Sequence, residues 1–487
     1  MPLPTLRIIG LITSVLILGA CSAGSSNSST SKPPTSASEV PQATPRATCG
    51  AGSRPETGIQ GRVSREDHAN GLPRLGFTCN TEMVGSYIKP NNLGTLGGFK
   101  VERYTDAAGH DCAYYDTTLL FPTNLIDFQG GVNVLDMSDP TKPILTAQLV
   151  TPAMLSPHES LVLSKERGVL AAVLGNPAFG PGVVDVYDIS GDCRHPVLKS
   201  VSPVGVLGHE SGFSPDGKTF YSASPGTPTL TAIDLTNLSV PLPIMTIPLK
   251  SHGLSISADG NRAYISGGAG NSPFDNSAAS APGVVILDVS EIQARKPNPK
   301  VREISRVTWP SISIPQNAIP ITIKGKPYLV EIDEYTDSTT SPGGPGNIGA
   351  GRIIDISDET KPKVISNLRL EVHQPENKAI RDGDPGANLP VQGYGGHYCN
   401  VPTRVDPTIV ACSMIISGLR VFDIRDPFHP REVAYFNAPT SPRIVPEESN
   451  WAMSSPSFVP ERKEIWYTDG YSGFYAVRVT NGAWADK

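Results

Sequence analysis

One short pattern returns seven times along this chain of 487 residues, and it limits the fold more than any other feature. It is a short apolar strand that ends in Asp. The copies are Val132-Asn133-Val134-Leu135-Asp136, Val184-Asp185-Val186-Tyr187-Asp188, Leu230-Thr231-Ala232-Ile233-Asp234, Val284-Val285-Ile286-Leu287-Asp288, Gly351-Arg352-Ile353-Ile354-Asp355 and Leu419-Arg420-Val421-Phe422-Asp423. The last, Phe474-Tyr475-Ala476-Val477-Arg478, puts Arg in place of Asp. Successive fifth positions are 52, 46, 54, 67, 68 and 55 residues apart, which suits four-stranded propeller blades carrying some loop insertions. Hairpin signals such as Ser214-Pro215-Asp216-Gly217-Lys218 and Ser257-Ala258-Asp259-Gly260-Asn261 precede the copies. Turns such as Ser138-Asp139-Pro140 and Arg425-Asp426-Pro427 follow them, and each leads into another strand. The motif Asp reads as structural, accepting hydrogen bonds from turn amides just beyond its strand. Gly and Pro together make up about 19% of the chain, which argues against a helical bundle.

These copies resemble the LVIVD repeat of bacterial β-propeller lipoproteins, over roughly Cys79 to Val479. The resemblance implies an all-β fold, a seven-bladed propeller, and little about activity, because propellers host many activities. The last copy ends near Val479 without an outer strand, and Thr81 to Ile88 is expected to supply it, so that strands from both ends close the ring. Six cysteines outside the leader allow 15 pairings. In such a ring Cys399 and Cys412 face each other across a hairpin. Cys112 and Cys193 share one face of neighbouring blades, and Cys49–Cys79 remains.

The N-terminus carries an address. Arg7 is the only charged side chain before Cys21, and Ile8 to Leu18 is mostly apolar. That run is too short to span a bilayer but suits a signal peptide. It ends in Leu18-Gly19-Ala20-Cys21, which resembles a lipoprotein box with Cys21 as the lipidated, palmitate-bearing residue. The expected organisation is a signal peptide over 1–20, a lipidated Cys21 with a Ser/Pro/Thr-rich tether over 21–48, and one propeller domain over 49–487. The expected location is the extracytoplasmic side of a bacterial cell membrane. The net charge of −6, with no long basic run, argues against a nucleic-acid partner.

Histidine carries the most informative constellation. Four of the nine histidines occupy one repeat position, the start of a blade's innermost strand: His158, His209, His252 and His397. They are expected to converge on the channel axis and to offer imidazoles to one transition metal ion, such as copper, iron or zinc. Glu159 and Glu210 follow two of them and are expected to orient the rings. Blade five has Gln316 and Asn317 near this position, blade seven Asn450 and Trp451, and blade one Phe99. Structural packing of the histidines is the competing expectation. Gly212 to Thr219 matches the Walker A pattern, but between strands rather than before a helix, so no nucleotide is expected. Two insertions, Thr336 to Ala350 and Glu371 to Gly396, are expected on the histidine face as binding loops. Glu331, Asp333, Glu334 and Asp337 read as a solvated strand face, with a contribution to a cation site as the lesser alternative. The leading expectation is a ligand- or protein-binding module at the envelope, with an envelope protein or small molecule as partner. The alternative is a metal-dependent enzyme, possible chemistries being those of an oxidase or, less directly, a propeller lactonase.

Overall fold

The computed structural model describes residues 42–88, 97–117, 130–175, 182–205, 208–224, 229–268, 282–309, 314–334, 348–388, 393–440 and 449–486. These form seven antiparallel sheets arranged as a β-propeller. Blade one comprises Val101–Thr105, Asp111–Asp116, Val132–Asp136 and Ile144–Leu149. Blade two comprises Val162–Ser164, Val169–Val173, Val184–Asp188 and Val197–Ser202, and the next three blades repeat this sequential order. The first strands of successive blades lie against one another around the channel. Ser457–Val459 of blade seven reaches Val101–Thr105 of blade one, which completes the ring.

The third strand of every blade is the repeat copy, and in six blades its Asp works locally. Asp136, Asp188, Asp234, Asp288, Asp355 and Asp423 each accept the backbone N–H two residues on, at 2.8–3.0 Å. The chain leaves the strand through a side-chain-capped turn. A register shift then separates the third and fourth strands of every blade, for example between Val134 and Leu135 and between Val421 and Phe422. Such a bulge adds local twist. Seven buried apolar clusters follow, one for each junction between neighbouring blades. Val169, Val184 and Val186 of blade two, for instance, pack on Phe220 and Ile233 of blade three.

Blade seven is completed by Thr81–Tyr87, which pairs antiparallel with Gly473–Val479. Phe77–Cys79 adds a fifth strand to blade six through Arg431–Asn437, an addition absent from the sequence reading. The disulfides Cys49–Cys79, Cys112–Cys193 and Cys399–Cys412 are present. Residues 42–48, grouped with the tether by composition, already touch the domain. Thr44 N–H donates to the Arg369 carbonyl at 2.7 Å, and Ala47 N–H to Glu432 at 3.2 Å. Among the described residues no helix is long and apolar enough to cross a membrane.

Two local expectations change, and the hairpin reading of the segment resembling Walker A holds. Glu331 and Asp333 are buried rather than solvated, because both pair with the Arg352 guanidinium, which stacks on Trp309 at 3.8 Å. Asp337 and most of the first insertion lie outside the described residues. The described part of the second insertion folds into short turns around Lys378–Arg381 that grip the N-terminal segment. Arg62 pairs with Asp384 at 2.8 Å, Tyr394 donates to Asp384 at 2.8 Å, and Glu371 holds Arg46. The segment resembling Walker A is a hairpin between Gly212–Phe213 and Thr219–Ser224, with no helix behind it.

Candidate metal centre

The channel geometry comes from the blade repeat. The backbone N–H of His209, His252 and His397 donates to the carbonyls of Ala223, Ser266 and Ser413 at 2.9–3.0 Å, at the end of each blade's second strand. The three rings therefore enter the channel at equivalent heights. His158 arrives differently. It and Glu159 have φ of 41° and 71°, the only adjacent pair of non-glycine residues with positive φ among the described residues. Left-handed backbone at two such residues costs about 1–3 kcal/mol each and persists only where the surroundings impose it. Here the turn directs the Glu159 carboxylate into the cluster.

The rings of His158 and His209 lie 4.7 Å apart, and those of His209 and His252 4.4 Å apart. His397 approaches from across the channel. Its Nδ1 lies 2.6 Å from the Met453 carbonyl, and His252 Nδ1 lies 2.9 Å from the Pro315 carbonyl. A carbonyl on Nδ1 fixes the ring and turns Nε2 inward, the orientation that serves a metal ligand. His397 Nε2 lies 3.2 Å from Glu159 Oε1 and 3.5 Å from Glu334 Oε1. His252 Nε2 lies 3.2 Å from Glu334 Oε2. Glu334 closes the second strand of blade five, Lys326–Glu334, and the sequence reading, which favoured a solvated strand face for it, did not join it to the histidines. The signal was its place at a strand end on the histidine face, opposite in parity to Glu331 and Asp333.

Glu159 sits at the centre rather than behind a ring. Its Oε2 lies 2.9 Å from His209 Nδ1, accepts from Tyr398 Oη at 3.0 Å, and also accepts from Gln316 Nε2. The Glu210 amide lies 3.0 Å from the same His209 Nδ1. A lone pair there serves the amide and a proton serves the carboxylate, so the side chains alone leave one contact frustrated. The Glu210 carboxylate does not orient a histidine. It pairs with Lys100 Nζ at 2.7 Å and accepts from Asn317 at 2.9 Å, one layer further along the channel. Beyond that layer lies a cavity of about 440 Å³ lined by Lys100, Glu102, Asn317, Asn400 and Arg404. Phe99 lines the other side of the cluster, its ring 5.3 Å from both His158 and His397. Asn450 donates to the Ala438 carbonyl at 2.5 Å, and Trp451 packs on Tyr471.

The electrostatics split the histidines. Burial, reinforced by His209, pushes His158 down to about 4. Burial also opposes charge on His397, but Glu159 and Glu334 outweigh it and hold the ring up to about 10. His252 is raised by Glu334 against the same burial. Burial would raise the carboxyls of Glu159 and Glu334, yet the facing imidazoles pull both below the usual range, Glu334 to about 2. The cluster thus keeps two carboxylates ionised in a nearly dry place, an environment that calls for positive charge. Donor atoms of His158, Glu159 and His209 lie within 4.8 Å of one another, as do those of Glu159, Glu334 and His397.

No protein-family model and no curated protein matches the chain. Solved structures similar to it include Kuenenia stuttgartiensis hydrazine synthase, at 14% identity and TM-score 0.48, covering 80% of this chain and 99% of that one. A putative 6-phosphogluconolactonase from Bacteroides uniformis is similar at 12% identity and TM-score 0.45, covering 76% and 87%. The periplasmic gluconolactonase of Pseudomonas aeruginosa is similar at 14% identity and TM-score 0.42, covering 69% and 87%. Likeness at this level says nothing about activity.

Proposed function

We propose that this protein is a lipid-anchored β-propeller of the bacterial cell envelope that holds transition metal at its channel axis and presents it to a small ligand on the histidine face. The carrying observation is the convergence of His158 and Glu159, His209, His252, Glu334 and His397 from five consecutive blades, with two groups of three whose donor atoms lie within 4.8 Å of one another. Mixed imidazole and carboxylate donors suit zinc, iron(II) or manganese(II) better than copper(I), which prefers soft sulfur ligands. Anchoring rests on the leader and on Cys21, and the LVIVD resemblance supports the envelope setting.

The chain's own residues do recognisable work around such an ion. Met453 and Pro315 carbonyls aim His397 and His252. Tyr398 and Gln316 both donate to Glu159, and Phe99 keeps one side apolar. His158 and His209 are the partly exposed members and the other donors are buried, so an incoming ligand meets the cluster on their side. A bound redox metal would supply electron-transfer chemistry, and zinc would supply Lewis acidity.

A second reading, a metal-free binding module for a small molecule or an envelope protein, is favoured by one observation: the carboxylates of Glu159 and Glu334 already face imidazoles. Elemental analysis of the full chain, purified in detergent without a histidine tag, separates the two. Bound transition metal that is lost in the His209→Ala/His252→Ala double variant supports the metal reading. Absence of metal after incubation with zinc, iron(II), manganese(II) and copper leaves the binding module.

A further inference from the structure

Each buried carboxylate of the cluster divides its two oxygens between two different imidazoles. Glu159 directs Oε2 to His209 and Oε1 to His397, and Glu334 directs Oε1 to His397 and Oε2 to His252. The result is a continuous chain of donors, His209–Glu159–His397–Glu334–His252, with His158 beside His209.

One ion does not fit this chain. With bonds of about 2.0–2.2 Å, the donors around one ion lie no more than about 4.4 Å apart. The donors instead fall into two groups, His158/Glu159/His209 and Glu159/Glu334/His397, that share only Glu159. A second observation is independent of this grouping. His397 Nε2 and Glu334 Oε2 are buried and find no aligned hydrogen-bond partner, although opposite groups lie 3.2–3.5 Å away. Atoms that are close but misaligned point at a common space rather than at each other.

Resting on the metal reading above, we infer that the axial cluster is built for two divalent ions bridged by Glu159. One is held by His158, His209 and Glu159 Oε2. The other is held by His397, Glu334 and Glu159 Oε1, with His252 behind it on Glu334 Oε2. Carboxylate-bridged ions typically sit about 3.5–4 Å apart. The first ion would have three protein donors, two of them the partly exposed His158 and His209, and so would be the one an incoming ligand reaches. The second is enclosed, with His397 fixed by the Met453 carbonyl and Glu334 backed by His252, which the Pro315 carbonyl holds.

The test uses the full chain in detergent, stripped with chelator and reloaded with Zn²⁺ for stoichiometry or Mn²⁺ for electron paramagnetic resonance. Two equivalents of zinc and an exchange-coupled manganese spectrum are expected in the wild type. His209→Ala and Glu334→Gln are each expected to retain one equivalent and lose the coupling, and Glu159→Gln to lose the coupling in any metal it retains. One equivalent in the wild type overturns the pair and leaves a mononuclear centre. Two equivalents without coupling place the second ion elsewhere and overturn the bridge. No metal overturns both this inference and the reading beneath it. The wild-type stoichiometry and spectrum decide the matter even where a variant fails to fold, which circular dichroism reports.

Discussion

Arg420 shows how much one side chain can hold in this chain. It is fully buried, yet its guanidinium meets Glu56, Glu432 at 3.0 Å and the Ser417 carbonyl at 2.8 Å, and it covers the Tyr435 ring at 4.4 Å. Glu56 belongs to the N-terminal segment and Glu432 to blade six, so Arg420 fastens one to the other. Burial raises the Glu56 carboxyl, against the pull of Arg420. Removing one partner of a buried pair costs about 3–5 kcal/mol because the remaining charge stays buried. Arg420→Met is therefore expected to lower unfolding stability by about that much in urea titration. Adding Glu56→Gln and Glu432→Gln is expected to recover most of the loss. An equal loss in the triple variant would show that packing, not charge, dominates there.

At the scale of the element, the repeat Asp is a local device with a global count. Burial would raise Asp136, Asp188, Asp234 and Asp423, but the hydroxyls of Ser138, Ser190 and Thr236, the Arg425 guanidinium on Asp423, and then the turn amides hold them below the usual carboxylate range. Asp288 is lowered mainly by Ser290. A carboxyl with a lower pKa in the folded state stabilises the fold above its unfolded pKa of about 3.9, and that contribution is lost as pH falls through the folded value. Asp288→Ala is expected to cost about 1.5–3 kcal/mol at pH 7, the range of a hydrogen bond to a charged acceptor. Its stability is also expected to fall less steeply than the wild type's between pH 5 and 3. Chemical unfolding at stepped pH checks both, and an unchanged slope would remove the turn from the account of acid sensitivity.

The whole molecule depends on a closure made from both ends of the chain. Thr81–Tyr87 covers the edge of Gly473–Val479, and Cys49–Cys79 ties the preceding segment to the fifth strand of blade six. An uncovered edge strand is a template for pairing with other chains. A chain beginning after residue 88 is expected to aggregate or to elute as oligomers by light scattering. Cys49→Ser/Cys79→Ser is expected to remain monomeric and lose about 2–4 kcal/mol. A monomeric, stable truncated chain would refute the closing role of the strand.

What the sequence determined by itself was everything with a short range. Strand periodicity, Asp-capped turns and hairpin glycines act between residues a few positions apart, so blade count, strand order and closure could be read from spacing. The histidine position was legible for the same reason, since a repeat places equivalent residues at equivalent heights. The tertiary structure alone decided what those residues meet. Glu334 became a member of the site because its strand end lies beside Gly396 of the next blade, a bridge formed across 62 residues. Glu210 was drawn from the histidines by Lys100, which is 110 residues away. The second insertion grips residues 46–63 because Asp384 and Tyr394 meet Arg62 and Val63 there. Charge pairing in a buried channel depends on which side chains the closed ring brings within a few ångströms, and no local pattern encodes that distance.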